Sequence, residues 1–229
     1  MSKSRGNVVN PDDIVNEQGA DALRLYEMFM GPLEAVKPWQ TAQVAGVVRF
    51  QNKLYNVIKS ASASQTMEMD DETERLLHKT MKKVTEDIES MAFNTAISAL
   101  MVFTNHLNSL EKVPLEAAKQ LALMVSPFAP HLGEESWSML KDDEIDTSIS
   151  LAYHPWVEYD EELCVDNTVV MGVQVNGKVR GEIEIPKDGD QELAMEEAMK
   201  QERVQNQLNG KDIKKIIFVP GKILNIVAK

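Results

Sequence analysis

The stretch TAQVAGVVRFQNKLYNVIKS, residues 41–60, decides how the larger part of this chain folds. Its apolar residues recur at intervals of three and four, and the basic residues Arg49, Lys53 and Lys59 fall between them. This spacing places the apolar side chains on one face of a helix, because an α-helix has about 3.6 residues per turn. The sequence therefore predicts a long amphipathic helix with one buried face and one polar face.

Similar helical patterns surround this stretch, and proline, glycine and asparagine mark their ends. The SASASQ run at residues 60–65 is predicted to be a small-residue linker that ends the first long helix. Several helices with short connections indicate an antiparallel helical bundle with a core of apolar faces. Further helices are predicted over residues 11–18, 21–30, 70–90, 94–113, 115–125 and 134–140.

From residue 168 onward the apolar period changes from 3.6 to 2, which indicates strands. Two such runs flank Asn176-Gly177, a dipeptide that accepts the positive φ angles of a tight hairpin turn. A helix over residues 191–208, broken near Lys200, and strands over 213–219 and 223–227 follow. The predicted fold is therefore mainly α: a helical bundle followed by a small α+β domain.

Charge is distributed unevenly along the chain. The net charge of −12 argues against indiscriminate nucleic-acid binding, because neutralising phosphates needs clustered Lys and Arg. Residues 168–229, however, carry 10 of the 24 basic residues and only 9 of the 36 acidic ones. This last part is the better candidate to face RNA, through the basic residues Lys178, Arg180, Lys211, Lys214, Lys215 and Lys222.

Composition is typical of a cytoplasmic globular protein, with 43% hydrophobic and 26% charged residues in 229. No apolar run approaches the roughly 20 residues that span a membrane, so membrane insertion is not expected. The single Cys164 cannot form an internal disulfide, and the four histidines are scattered. No metal site is predicted.

The first seven residues, MSKSRGN, have the chemistry of a phosphate-binding loop. The Ser2 and Ser4 hydroxyls and the backbone N–H groups can close around phosphate oxygens, and Gly6 lets the backbone approach them. Lys3 supplies a mobile positive charge. This pattern is short, and on chemistry alone it is a weak signal.

The same residues resemble the Lys-Met-Ser-Lys-Ser signature of class I aminoacyl-tRNA synthetases. The resemblance continues along essentially the whole chain, which looks like bacterial leucyl-tRNA synthetase. The motifs that carry it are MSKSRGNVVNP at residues 1–11, DALRLY at 21–26, GPLEA at 31–35, PW at 38–39, PFAPH at 127–131 and VQVNGKVRG at 173–181.

The resemblance implies the C-terminal portion of a leucine–tRNA ligase, which charges tRNA with leucine in translation. The family's first signature lysine would precede Met1, and its catalytic and editing domains lie before this point. The chain alone is therefore expected to be inactive and to bind no cofactor. In the intact enzyme, which uses ATP with Mg²⁺, Met1, Ser2, Lys3 and Ser4 would bind ATP. Lys3 would be catalytic, steadying charge on the pyrophosphate.

The resemblance also implies a domain layout, with leucine tRNA as the partner of a monomer. Residues 1–37 would be the signature loop and connector helices from the end of the catalytic domain, and residues 38–140 a bundle of the anticodon-binding type. Residues 141–167 would form an acidic linker. Residues 168–229 would form a small domain that contacts the outer corner of tRNA.

Two alternatives stay open at the level of sequence. An isoleucyl or valyl ligase shares the signature loop and a helical domain, although the VNGKVRG hairpin at residues 175–181 favours leucine. A stand-alone RNA-binding or protein-docking module without catalysis is the other alternative, and it is favoured if Met1 is a natural start.

Overall fold

A computed structural model describes residues 8–66, 68–140, 149–165 and 168–229. The chain divides into two compact units, Met1–Cys164 and Val165–Lys229. The first unit is helical, and the second contains a four-stranded sheet and two helices. Among the described residues, no helix is both long enough and apolar enough to cross a membrane.

The first seven α-helices of this unit follow the predicted order, and the eighth lies in the segment predicted to be a linker. A 3-10 helix, Leu151–Tyr153, lies between the last two α-helices. The α-helices are α1 Pro11–Gln18, α2 Ala20–Phe29, α3 Thr41–Ser64, α4 Asp71–Glu89, α5 Phe93–Ser109, α6 Leu115–Val125, α7 Pro130–Met139 and α8 Glu161–Cys164.

One apolar core joins α2 through α7. Because it includes side chains of α2, that helix and the bundle share the same interior. The face of α3 predicted to be buried lies in this core, because the helix turns its apolar stripe inward. The buried residues of α3 are Val44, Val47, Phe50, Leu54, Val57, Ile58 and Ala61.

The prediction of a linker at residues 60–65 is wrong, because α3 continues to Ser64. Alanine favours helix, and Ala61 is fully buried in the core. Two serine hydroxyls also bind neighbouring segments: Ser62 donates to the carbonyl oxygen of Met139 at 2.6 Å, and Ser64 to that of Val113 at 3.2 Å. Tertiary contacts therefore hold as helix a run whose composition is typical of a linker.

Two charged side chains of α2 bind the corner between α6 and α7. Asp21 is buried and accepts a hydrogen bond from the backbone N–H of Leu132 at 2.7 Å. Arg24 donates to the carbonyl oxygens of Pro127 and Phe128, at 2.8 and 3.2 Å. Asp21 thus caps the first turn of α7, whose own N-cap residue provides no side-chain hydrogen bond.

Residues 149–164, which lie within the predicted acidic linker, belong to the first unit. Leu151 and Val157 are buried in its core. The indole N–H of Trp156 donates to Thr85 Oγ1 on α4 at 2.9 Å. This segment is therefore held to the helices along its length.

Asp70 caps α4 and supplies a pH-dependent contribution to stability. Its carboxylate accepts from the backbone N–H of Thr73 at 2.7 Å, and hydrogen bonds from Thr73 hold the pKa of Asp70 below its usual value. Asp70→Ala is expected to lower the free energy of unfolding by about 1 kcal/mol at neutral pH. Because the folded pKa is lowered, this contribution is complete above the unfolded pKa of about 3.9 and is lost as pH falls through the folded pKa.

The matched control is Asp70→Asn, because asparagine caps helices as well as aspartate but does not titrate. Urea unfolding at several pH values should show a stability difference between wild type and Asp70→Asn that changes only at acidic pH. An equal difference at every pH would contradict this role of Asp70.

The second unit is a mixed sheet covered on one face by two helices. The strand order is β2-β1-β4-β3, in which β1 and β4 are parallel and the other neighbours are antiparallel. A separate apolar core lies between the sheet and the helices. The elements are β1 Thr168–Val175, β2 Lys178–Pro186, α9 Gln191–Met199, α10 Glu202–Leu208, β3 Ile213–Val219 and β4 Ile223–Ala228.

The hairpin turn between β1 and β2 confirms the prediction made from Asn176-Gly177. Both residues have positive φ, 51° and 77°. The Asn176 side chain also exchanges two hydrogen bonds of 2.9 Å with the backbone of Ala228. The turn thus fastens the end of β4 as well as joining β1 to β2.

Candidate nucleic-acid interface

The six predicted cations of the second unit do not form one patch. Lys178 and Arg180 lie on β2, which is one edge of the sheet, whereas Lys214 and Lys215 lie on the opposite edge strand, β3. Three strand spacings of about 4.8 Å separate the two edges. Lys178 therefore lies near Arg180, whereas Lys214 and Lys215 lie apart from both.

Two of the six are engaged inside the unit. Lys211 Nζ donates to the carbonyl oxygen of Gln207 at 2.9 Å, and Lys214 Nζ lies 3.6 Å from Asp212 Oδ2. Lys222 lies in the turn between β3 and β4 and is exposed. Exposed ion pairs are weak, so Lys214 remains able to exchange Asp212 for a stronger anion.

A second basic surface lies on the first unit, on the exposed side of α3. Arg49, Lys53 and Lys59 are exposed there, with the uncharged Asn52 and Asn56 between them on the same side of the helix. We call these five residues the α3 basic face. The 24-residue helix contains no Asp or Glu. Cationic and amide side chains without carboxylates suit the phosphate and sugar oxygens of RNA.

One end of the α3 basic face borders a cavity between α2 and α3. The cavity has a volume of about 430 Å³, and its walls include Tyr26, Phe29, Gln43 and Arg49. Aromatic and guanidinium groups are the side chains on which unstacked RNA bases stack. Farther along the face, Lys53 Nζ donates to Asn105 Oδ1 of α5 at 2.6 Å, which fixes its position.

The sequence contains a signal for the α3 basic face that the charge of the whole bundle hides. No Asp or Glu occurs between Glu34 and Glu68, whereas Lys37, Arg49, Lys53 and Lys59 all fall in this interval. The acidic residues of the first unit lie before and after it. The α3 basic face is visible when the charge of each helix is counted separately, but not when the charge of the whole domain is counted.

The predicted ATP-binding residues Met1, Ser2, Lys3 and Ser4 lie outside the described residues. Within the described ranges, no three His, Cys, Asp or Glu side chains are grouped so that they could hold a metal ion. The pKa of the Cys164 thiol is raised, chiefly by burial. This thiol is therefore protonated at neutral pH and is a poor nucleophile.

Two family models match the chain. Residues 70–195, more than half of its length, match the anticodon-binding domain of tRNA ligase. Residues 1–37 match the class I tRNA synthetases for isoleucine, leucine, methionine and valine. Helix α3 lies between the two matched ranges, so the case for its basic face is structural.

Curated relatives match over almost the whole chain. Leucine–tRNA ligase of Sorangium cellulosum (strain So ce56) is 56% identical over 227 residues, which is 99% of this chain and 26% of that protein. Leucine–tRNA ligase of Leptospira biflexa serovar Patoc (strain Patoc 1 / Ames) is 45% identical over 231 residues, again 99% of this chain and 26% of that protein.

A solved structure resembles the whole chain. It is the crystal structure of Agrobacterium radiobacter K84 agnB2 LeuRS in a ternary complex with tRNA and LeuAMS. The match has a TM-score of 0.67 and 28% identity, and it covers 100% of this chain and 31% of that one. The chain thus spans about a quarter of the length of its curated relatives and about a third of the solved chain.

Proposed function

This chain belongs to the tRNA ligases that carry the class I anticodon-binding domain, and we propose that it is the C-terminal part of a leucine–tRNA ligase. The observation that carries the proposal is the 56% identity to a leucine enzyme, continuous over 99% of the chain and through both compact units. This continuity favours the leucine enzyme over an isoleucyl or valyl ligase. It also favours part of a ligase over a stand-alone docking module.

In the whole ligase, the substrates are ATP with Mg²⁺, leucine and leucine tRNA. Lys3 contacts the ATP phosphates and stabilises charge on the departing pyrophosphate, and Met1, Ser2 and Ser4 shape the loop around it. The residues of this chain alone do not charge tRNA and retain no cofactor. The enzyme acts as a monomer in the cytoplasm, as its family implies.

The proposed architecture follows from the short connections between helices. Helices α3–α7 run antiparallel to their neighbours in sequence, as in other bundles with short loops. Residues 1–37 connect the signature loop to a bundle of residues 38–140, which has the anticodon-binding type of fold. Residues 141–167 are the acidic linker, and residues 168–229 are a tRNA-binding domain.

The tRNA lies on the α3 basic face and on the second unit. Leucine enzymes as a family do not rely on the anticodon for tRNA identity, so the bundle holds stem and backbone groups. The exposed Arg49, Lys53 and Lys59 suit that role, because they present charge over about 15 Å of helix with no carboxylate among them. In the second unit, the cations that bind tRNA are Lys178, Arg180, Lys211, Lys214, Lys215 and Lys222.

The proposal is tested by a fluorescence anisotropy titration of labelled leucine tRNA with the 229-residue chain. The chain is expected to bind and to lose affinity as counterions compete for phosphates. The three α3 cations alone would lower affinity about 40-fold between 50 and 200 mM salt, so the fall should be at least that large. An absence of binding at the lowest salt, or an affinity that does not change with salt, would contradict the proposal.

A further inference from the structure

A polar groove lies in the second unit between β2 and α10. Its volume is about 400 Å³, and it is lined by Val179, Arg180, Arg203, Asn206 and Gln207. Two guanidinium groups and two amides therefore face one space, and none of these residues is acidic. Arg203, Asn206 and Gln207 are not among the residues that the sequence pattern singles out.

A β-bulge sets the position of Arg180 on β2. Val173 of β1 pairs with Gly181, and the next residue, Gln174, pairs with Val179. Arg180 therefore has no partner on β1 and is the extra residue of the bulge. Bulges bend a strand and redirect a side chain, and they are frequent next to functional sites. β2 is also an edge strand, so α10 rather than another strand borders this side of it.

The Nε–H group of Arg180 is a buried donor in this groove. This Nε is inaccessible to solvent and has no partner among the described residues. Nor does any described carboxylate form an ion pair with Arg180 or Arg203, although Lys200 and Lys214 of the same unit are paired. A buried donor without an acceptor destabilises the fold, and two guanidiniums in one groove repel each other. An anion rich in oxygen relieves both costs.

We infer that this groove binds one phosphodiester of the partner RNA. The Arg180 and Arg203 guanidiniums donate to the oxygens of a single phosphate, for which their planar donor geometry is suited. The Asn206 and Gln207 amides bind the 2′-hydroxyl of the adjacent ribose. This inference rests on the proposed function, because it assigns a chemical group of tRNA to one site.

A peptide strand is the competing occupant, because an edge strand such as β2 can accept another strand by backbone hydrogen bonding. The side chains favour phosphate. An extended peptide uses the N–H and C=O groups of the strand edge and leaves both guanidiniums without an anion. A phosphate satisfies Arg180 and Arg203 together.

Affinity measurements on the full chain test the groove. Arg180→Ala and Arg203→Ala should each weaken leucine tRNA binding by about tenfold and lower the salt slope by about one. The double variant should lose less than the product of the single losses, because both side chains hold the same phosphate. Lys187→Ala is the matched control, since this exposed lysine of the same unit does not line the groove. It should change affinity less than about twofold.

A second measurement observes the groove directly. In nitrogen-15 NMR spectra of the full chain, the Nε–H signals of Arg180 and Arg203 should shift when hexauridylate is added. The Nε–H signal of Arg24, whose guanidinium donates to the carbonyl oxygens of Pro127 and Phe128, should not shift. A response to inorganic phosphate but not to the RNA would contradict the proposal. A response only to an added mixed-sequence peptide would contradict it in favour of strand addition.

Different results would contradict the groove assignment and the proposed function. If the chain binds tRNA and both arginine variants bind it like wild type, the groove assignment is wrong and the proposed function stands. If the chain does not bind tRNA but hexauridylate shifts both Nε–H signals, the proposed function is wrong and the groove is an RNA phosphate site.

Discussion

Replacement of Arg49, Lys53 and Lys59 by glutamate in one variant is expected to weaken leucine tRNA binding about a thousandfold at low salt. Each substitution removes a cation from the α3 basic face and puts a like charge opposite a phosphate. The three side chains are exposed, so the variant should keep its fold. The measurement is the anisotropy titration, with the helical signal in circular dichroism as the check on folding.

The control separates this local effect from the change in net charge. Lys112, Lys187 and Lys229 are exposed, and none of them lies on α3. Their replacement by glutamate changes the net charge by the same amount and is expected to weaken binding only about tenfold, through the long-range field. Equal losses in the two triple variants would show that the α3 basic face has no specific role.

Asp21→Ala is expected to lower the free energy of unfolding of the first unit by about 3 kcal/mol. The buried carboxylate accepts from the Leu132 N–H at 2.7 Å, and its other oxygen lies 2.9 Å from His131 Nδ1. Alanine leaves the first turn of α7 without these bonds and removes a negative charge from the positive end of the helix. Asp21→Asn keeps one acceptor oxygen and should cost about half as much.

Urea unfolding followed by tryptophan fluorescence measures this effect in the first unit alone. All three tryptophans, Trp39, Trp137 and Trp156, belong to that unit. Glu27→Ala, an exposed change on the same helix, is the control and should alter stability by less than about 0.5 kcal/mol. A similarly small change for Asp21→Ala would mean that α7 does not depend on this cap.

The sequence predicts most of the elements, because local chemistry decides them. The 3.6-residue period predicts the buried face of α3, and Asn176-Gly177 predicts the turn between β1 and β2. The predicted break near Lys200 is also present, since α9 ends at Met199 and α10 begins at Glu202. In each case, residues adjacent in sequence contain the information.

Contacts between distant residues are what the sequence does not predict. Asp21 and Leu132 are 111 positions apart, and no local pattern connects them. The helical end of α3 depends on acceptors at Met139 and Val113, which are distant in sequence, so the local Ser-Ala composition alone indicates a linker. Arg180 is the extra residue of a β-bulge, so its side chain does not follow the alternating pattern of β2. The groove that it forms with Arg203 follows from that single extra residue.

A photo-crosslinking experiment on the α3 basic face tests the central claim most directly. Asn56, exposed on that face, is replaced by benzoylphenylalanine, and Glu89, exposed at the end of α4, is replaced in a second variant. With leucine tRNA bound to both variants, as a gel shift verifies, irradiation should join tRNA to the chain from position 56 and not from position 89. Bound tRNA that crosslinks equally from both positions, or from neither, would contradict the account.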